Sequence, residues 1–142
     1  MRNKAFVTAL LLAAVLALAA ASGVHAADLP SQLTMPPEKL TDEFLRGLSA
    51  RVSLTPHETA AVRAILVEQT RKRQEIARGR LAANPGMAGM RALRDDMRAL
   101  SQETDAKLAA VLPPEKMAAV RAYRDERREA FRARAQAARH GG

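Results

Sequence analysis

The sequence predicts an all-α protein, an elongated antiparallel helical hairpin of about four helices. Apolar residues recur every three or four positions in each long segment, and no segment alternates apolar and polar residues as a strand would. Short connections rich in Pro and Gly separate these segments, most clearly at residues 83–86. Because short connections join neighbouring helices, we expect the long helices to run antiparallel.

Residues 1–26 are expected to form a secretory signal peptide. Arg2 and Lys4 precede an apolar run over residues 5–21, and Val-His-Ala at 24–26 offers a small-x-small cleavage site. An uncleaved anchor is the alternative, because the apolar run is close to the shortest that spans a bilayer. We expect an exported, periplasmic protein that keeps no stable membrane anchor after cleavage.

Residues 27–142, a chain of 116 residues, are long enough for one domain. We expect a flexible lead over 27–36, a single all-α domain over 37–138 and a disordered tail over 139–142. The chain has no Cys, and its exported part has only three aromatic residues, Phe44, Tyr123 and Phe131. Since an elongated helical monomer of this composition buries little apolar surface, self-association as a homodimer is favoured.

The first helix is predicted to open at Pro37 and to extend to about Val52. Pro suits the first turn of a helix, where its missing N–H costs nothing. One apolar stripe follows at helical spacing, formed by Leu40, Phe44, Leu45 and Leu48.

The second helix is predicted from Pro56 to about Ala82. Thr55 and Glu58 fit a capping box, in which each side chain bonds the other residue's backbone N–H. The apolar stripe thins toward the C-terminal half, where basic residues gather and must either face solvent or meet acidic groups. The stripe positions are Val62, Ile65, Leu66, Gln69, Arg73, Ile76 and Leu81, and the basic residues are Arg71, Lys72, Arg73, Arg78 and Arg80.

The third helix carries the strongest periodic pattern, an a/d seam of the coiled-coil type. A fourth helix is predicted from Pro114 to about Ala138, with Met117, Val120, Tyr123 and Phe131 as its apolar positions and arginines on its other faces. The seam positions of the third helix are Met90, Leu93, Met97, Leu100, Thr104, Lys107 and Val111, with Leu108 beside them.

Composition argues against several functional classes. Outside the first segment the chain has two His, His57 and His140, which leaves no visible metal-ligand set and no His-dependent catalytic site. Glycine loops that cradle phosphate are absent from the sequence. We therefore expect a non-enzyme without cofactor or bound metal. Nucleic acid is a poor partner, because export and the scarcity of stacking aromatics both oppose it.

A basic surface that also contains a few apolar residues is the best candidate for a binding site. Removing Arg2 and Lys4 from the 23 basic residues leaves 21 against 15 acidic ones, a net charge of +6, which favours acidic partners. Methionines there can adapt to varied partners, or can simply fill gaps between Ala-rich helices. Solubility alone is an equally open explanation of the charge. The candidate client-binding residues are Arg71, Arg73, Ile76, Arg80, Met87, Met90, Arg94, Met97 and Arg98.

Two helix starts resemble the Leu-Thr-x-x-Gln repeats of the Spy/CpxP family. Residues 54–58 read Leu-Thr-Pro-His-Glu, with Glu at the Gln position, and residues 112–116 read Leu-Pro-Pro-Glu-Lys, which departs at both Thr and Gln. The resemblance covers residues 52–131. The motif and helix-capping residues are Leu54, Thr55, Pro56, Glu58, Leu112, Pro114 and Glu115.

The resemblance implies a small periplasmic protein that dimerises into a curved, cradle-like hairpin. Members act as ATP-independent chaperones or as regulators of an envelope-stress sensor kinase. We therefore expect a chaperone or stress adaptor that binds partly unfolded envelope proteins or a sensor-kinase domain. The alternative is a metal-responsive protein for zinc, copper or heavy metals, although the His-rich segments of such relatives are missing here. A third interpretation, a cationic helix bundle on anionic lipid, follows from the charge.

Overall fold

The computed structural model describes residues 33–140, which fold into four α-helices and contain no strand. The all-α helical hairpin predicted from the sequence is therefore confirmed. The expected signal peptide, residues 27–32 of the lead and residues 141–142 lie outside the described residues. The helices are α1 (Pro37–Ser49), α2 (Pro56–Ala83), α3 (Met87–Ala109) and α4 (Pro114–His140).

The first helix begins as predicted and ends a few residues earlier. Leu40, Phe44 and Leu48 are buried, so the predicted stripe is confirmed. The Ser49 hydroxyl donates to the Arg46 carbonyl at 2.7 Å, a local bond that competes with a further helical turn. The helix therefore stops at Ser49 instead of continuing to Val52.

The capping box predicted at the start of α2 is formed. The Thr55 hydroxyl accepts from the Glu58 N–H at 3.1 Å, and a Glu58 carboxylate oxygen accepts from the Thr55 N–H at 2.8 Å. Pro56 occupies the first helical position, where no intrahelical donor is needed. These contacts fix the start of a helix that is about 40 Å long.

The α2–α3 hairpin is antiparallel, as its ion pairs show. Lys72 near the middle of α2 pairs with Glu103 at 2.9 Å, and Arg80 near its end pairs with Asp96 at 2.7 Å. Gly89 lets the first turn of α3 approach the connection closely, because a Cβ there would lie 1.8 Å from the Asn84 carbonyl oxygen. The predicted breaker at residues 83–86 thus becomes a tight turn.

The first helix folds back along α2, again antiparallel. Asp42 pairs with Arg63 at 2.8 Å, and Glu38 pairs with Arg71 at 3.2 Å, so higher numbers in α2 meet lower numbers in α1. These exposed pairs set direction and register, while apolar burial supplies most of the stability.

The main apolar core lies where all four helices come together. The Phe44 and Tyr123 rings meet there with centroids 5.0 Å apart, within the range of favourable aromatic pairs. A second, smaller cluster joins Ala77 of α2 to Leu93 of α3. The main core consists of Phe44, Leu48, Val62, Leu66, Leu108, Leu112, Met117, Val120 and Tyr123.

The predicted seam of α3 is wrong in its last turns. Thr104 is buried as expected, but the chain then buries Leu108 and Leu112, whereas Lys107 is half-buried and Val111 is exposed. A straight helix of 3.6 residues per turn drifts from a strict heptad repeat, and steps of four residues follow that drift. Lys107 instead lies at the surface in ion pairs.

At both ends of the described part, residues 33–36 and 139–140 do not fit the flexible lead and disordered tail to which the prediction assigns them. Leu33 packs against the cluster around Ala77, the Arg78 guanidinium donates to the Leu33 carbonyl at 3.3 Å, and the Gln74 side chain donates to the Met35 carbonyl at 2.8 Å. Residues 33–36 are therefore held on α2. At the other end, α4 runs through His140, so residues 139–140 are helical and do not belong to a tail.

Candidate functional site

One outward stripe of α3 combines basic side chains with an exposed methionine. Met87, Arg91, Arg94 and Arg98 follow at steps of four, three and four residues, which places them along one side of the helix. All four are exposed, and Met87 exposes 62% of its surface. We call these four residues the α3 basic stripe.

The arginines of the α3 basic stripe differ from those surface arginines that are held in ion pairs. Within residues 33–140, neither Arg94 nor Arg98 lies within ion-pair distance of a carboxylate, and the same holds for Arg91. By contrast, Arg51 is held by Glu126 and Arg63 by Asp42. The positive charge of the stripe therefore stays available to a partner.

Four other members of the predicted client-binding set contact neighbours inside the protein. Arg71 and Arg80 are exposed but pair with Glu38 and Asp96. Ile76 and Met97 are half-buried and pack against the Ala77–Leu93 cluster. Their availability to a partner is reduced, so the accessible part of the set narrows to α3.

Two members of the predicted set are corrected by the structure. Arg73 exposes 8% of its surface and Met90 exposes 4%, so neither can line a surface in this conformation. Met90 is one of the buried residues of α3. Arg73 lies on the inward side of α2, at a position of the stripe where an apolar residue would be expected.

The two helix starts that carry the motifs meet in space. Lys116 Nζ donates to Glu58 Oε2 at 2.6 Å, so the carboxylate that caps α2 also holds α4. Lys116, followed by the Thr55 N–H, lowers the pKa of the Glu58 carboxyl. At the second start the Pro113 carbonyl accepts from the Met117 N–H at 3.0 Å, the same backbone bond that the Thr55 carbonyl accepts from the Thr59 N–H at 2.8 Å.

The remaining motif residues have structural surroundings. Leu112 is buried in the main core and Leu54 packs against it half-buried. Pro56 and Pro114 begin their helices. Glu115 is exposed in the first turn of α4, where its negative charge interacts favourably with the positive end of the helix dipole.

The sequence did not predict the buried arginines of the interior. Arg73 of α2 and Arg124 and Arg127 of α4 each expose less than a tenth of their surface. Burial, followed by the charges of Arg124 and Arg128, lowers the pKa of Arg73 to about 10. Burial likewise lowers the pKa of Arg124 and of Arg127. We call Arg73, Arg124 and Arg127 the buried arginines.

The described part of the chain contains neither a candidate metal cluster nor a candidate membrane-spanning helix. Residues 33–140 contain no group of three or more His, Cys, Asp or Glu side chains arranged to hold a metal ion. Nor is any helix among them both long and apolar enough to cross a membrane.

Comparisons of the chain with protein-family models, with curated proteins and with solved structures find no match. Membership of the Spy/CpxP family therefore stays a prediction from the two short motifs, and the functional argument depends on the residues themselves.

Proposed function

We propose that this protein is a non-enzymatic, ATP-independent chaperone or stress adaptor that binds partly unfolded envelope proteins. The observation that carries the proposal is the α3 basic stripe, whose three arginines have no carboxylate partner within residues 33–140 and lie beside exposed Met87. Charge draws in acidic, unfolded segments, and an adaptable methionine gives weak apolar contact to many sequences.

Such a surface suits weak and varied binding. Exposed arginines raise association rates with negatively charged partners, while their contribution to affinity is modest and sensitive to salt. Release then needs no nucleotide, because a client that folds buries the segments that the stripe contacts. The same proposal includes export to the periplasm, which is inferred from residues 1–26. It also includes a homodimer, which is inferred from the small number of large apolar side chains.

Suppression of aggregation tests the proposal. The purified protein is added without ATP to a chemically denatured client, and light scattering is followed at increasing ratios. We expect suppression near stoichiometric ratios. The double substitution Arg94→Gln with Arg98→Gln is expected to require several-fold more protein for the same suppression.

The matched control is Arg132→Gln with Arg134→Gln, two exposed arginines of α4 whose loss changes the net charge equally. It is expected to behave as the unchanged protein does. If both double substitutions weaken suppression of aggregation equally, the effect depends on overall net charge and not on the α3 basic stripe. No suppression at large excess would overturn general chaperoning and favour a dedicated sensor-kinase domain as partner.

A further inference from the structure

Met87 is the most exposed methionine among residues 33–140. It exposes 62% of its surface, whereas Met90 exposes 4% and Met117 exposes 3%. Met35 and Met97 are half-buried. An oxidant in solution therefore reaches the Met87 thioether first, and it reaches the core methionines only when the protein opens locally.

Met87 lies where a chemical change alters a surface and leaves the packing intact. It is the first residue of α3, directly after the Gly86 N-cap, and it belongs to neither the main core nor the Ala77–Leu93 cluster. Within the described part of the chain, Val111 is the only other large apolar side chain that is exposed, at 37%. Loss of apolar character at Met87 therefore costs the core nothing.

A peroxide oxidises a thioether in one balanced step. The sulfur lone pair attacks one peroxide oxygen, and the S–O bond forms as the O–O bond breaks. The departing hydroxide takes the proton of the transferred oxygen and leaves as water, so the sulfur is oxidised by two electrons and the peroxide is reduced. The product, methionine sulfoxide, is polar, and methionine sulfoxide reductases return it to the thioether.

The α3 basic stripe determines what the new oxygen meets. Met87 and Arg91 are four residues apart, so their side chains are neighbours on one side of the helix. Helical side chains lean toward the N-terminus, which lets the Arg91 guanidinium reach over the turn that carries Met87. Because Arg91 has no carboxylate partner within residues 33–140, it is available to donate to a sulfoxide oxygen.

We propose that Met87 is a modification site, at which an oxidant of the peroxide class forms the sulfoxide and thereby reversibly weakens client binding on the α3 basic stripe. Oxidation removes the adaptable apolar contact of the stripe and gives Arg91 an acceptor within the chain. The effect on clients rests on the proposed function, whereas the site itself rests on the exposure of Met87.

Peptide mapping after limited treatment with hydrogen peroxide tests the site. The tryptic peptide of residues 81–91 contains both Met87 and Met90, so its fragment spectra compare an exposed and a buried sulfur directly. We expect oxygen on Met87 many-fold faster than on Met90, with thermal unfolding unchanged at that stage. Equal rates at the two residues, or earlier oxidation of Met117, would overturn the site.

Suppression of aggregation before and after the same treatment tests the consequence. The unchanged protein is expected to require several-fold more protein after oxidation, and sulfoxide reductase should reverse this loss. Met87→Leu keeps an apolar side chain without a thioether, so its own suppression should change little on oxidation. Met35→Leu is the matched control, because Met35 is half-buried and its carbonyl is held on α2 by Gln74. It should lose as much suppression as the unchanged protein does.

The two measurements separate the possible failures. Oxidised Met87 with unaltered suppression would overturn the effect on clients, and so would an equal loss in Met87→Leu and the unchanged protein. A protein that suppresses no aggregation even before oxidation would overturn the proposed function and the effect on clients together. The peptide map would still decide whether Met87 is the modification site.

Discussion

At the scale of single residues, the Tyr123 side chain packs directly against the backbone of α1 at Gly47. A Cβ placed on Gly47 would lie 1.9 Å from the Tyr123 hydroxyl oxygen and 2.7 Å from the ring carbon that carries it. The same ring meets Phe44 and lies 4.4 Å from the Arg51 guanidinium carbon. Glycine, a poor helix former, is therefore kept in α1 because the packing of α4 needs its missing side chain.

Replacing Gly47 by Ala is expected to destabilise the protein by about 1–3 kcal/mol, since Tyr123 must move out of its packed position. The helix propensity of Ala offsets part of this loss, by up to about 1 kcal/mol. Urea unfolding followed by circular dichroism measures the difference.

The matched control is Gly79→Ala in α2, where an added Cβ meets no atom within 4 Å. That substitution should stabilise the protein by up to about 1 kcal/mol through helix propensity alone. A stability gain in both variants would contradict the close contact between Gly47 and Tyr123.

Arg73 shows what burial does to one arginine. Burial lowers its pKa to about 10, so the environment disfavours the charged form. Because the folded state then binds its proton less tightly than the unfolded state, this cost is fully present at neutral pH and declines only above about pH 10.

At the scale of elements, a network of ion pairs among four side chains links α2 to α3. Lys72 and Lys107 each contact both Glu68 and Glu103, at distances of 2.9 to 3.2 Å. Single exposed pairs contribute little, but shared partners hold one another in place. Gln69 also donates to Glu103 at 3.1 Å, which ties the network to the interior.

This network predicts an acid-dependent loss of stability. Lys72, then Gln69 and Lys107, lower the pKa of Glu103 to about 2 from an ordinary 4.5. A depressed folded-state pKa gives stability that is complete above pH 4.5 and lost as the pH falls toward 2. Free energies of unfolding are measured from pH 6 to pH 2 for the unchanged protein and for Glu103→Gln.

The stability difference between the two proteins should be largest above pH 4.5 and shrink steadily below it. Glu43→Gln, a half-buried carboxyl for which the structure gives no ion pair, is the comparison variant and should show a weaker change with pH. A difference that stays constant down to pH 2 would mean that Glu103 gains nothing from its charge.

The fourth helix depends on a few separate attachments. Lys116 joins its start to Glu58, Arg51 holds Glu126, and Asp105 takes the Arg124 guanidinium. Apolar residues of α4 enter the core only in its first half. The second half, rich in arginine, therefore gains little from the core.

At the scale of the whole molecule, local signals in the sequence predicted the architecture well. The Thr55–Glu58 capping box, the breaker at residues 83–86 and the apolar stripe of α1 act over a few residues, and all three are present. Such features need no knowledge of distant contacts.

What failed in the prediction depends on contacts between distant parts of the chain. The sequence predicts Arg73 and Met90 on a surface, yet both are buried in the folded protein. The role of Gly47 depends on Tyr123, and the electrostatic environment of Arg73 depends on Arg124 and Arg128 of α4. A stripe on one helix shows which side is apolar but cannot show which neighbour covers it.

The claim that clients bind on α3 is tested most directly by methionine-methyl NMR, because exposed Met87 and buried Met117 report separately on the stripe and on the core. An unfolded, acidic client is titrated into the protein with labelled methionine methyl groups. We predict that the Met87 signal shifts or broadens progressively, while the Met117 signal keeps its position. An unchanged Met87 signal at saturating client, with suppression of aggregation still observed, would place binding elsewhere and contradict the account.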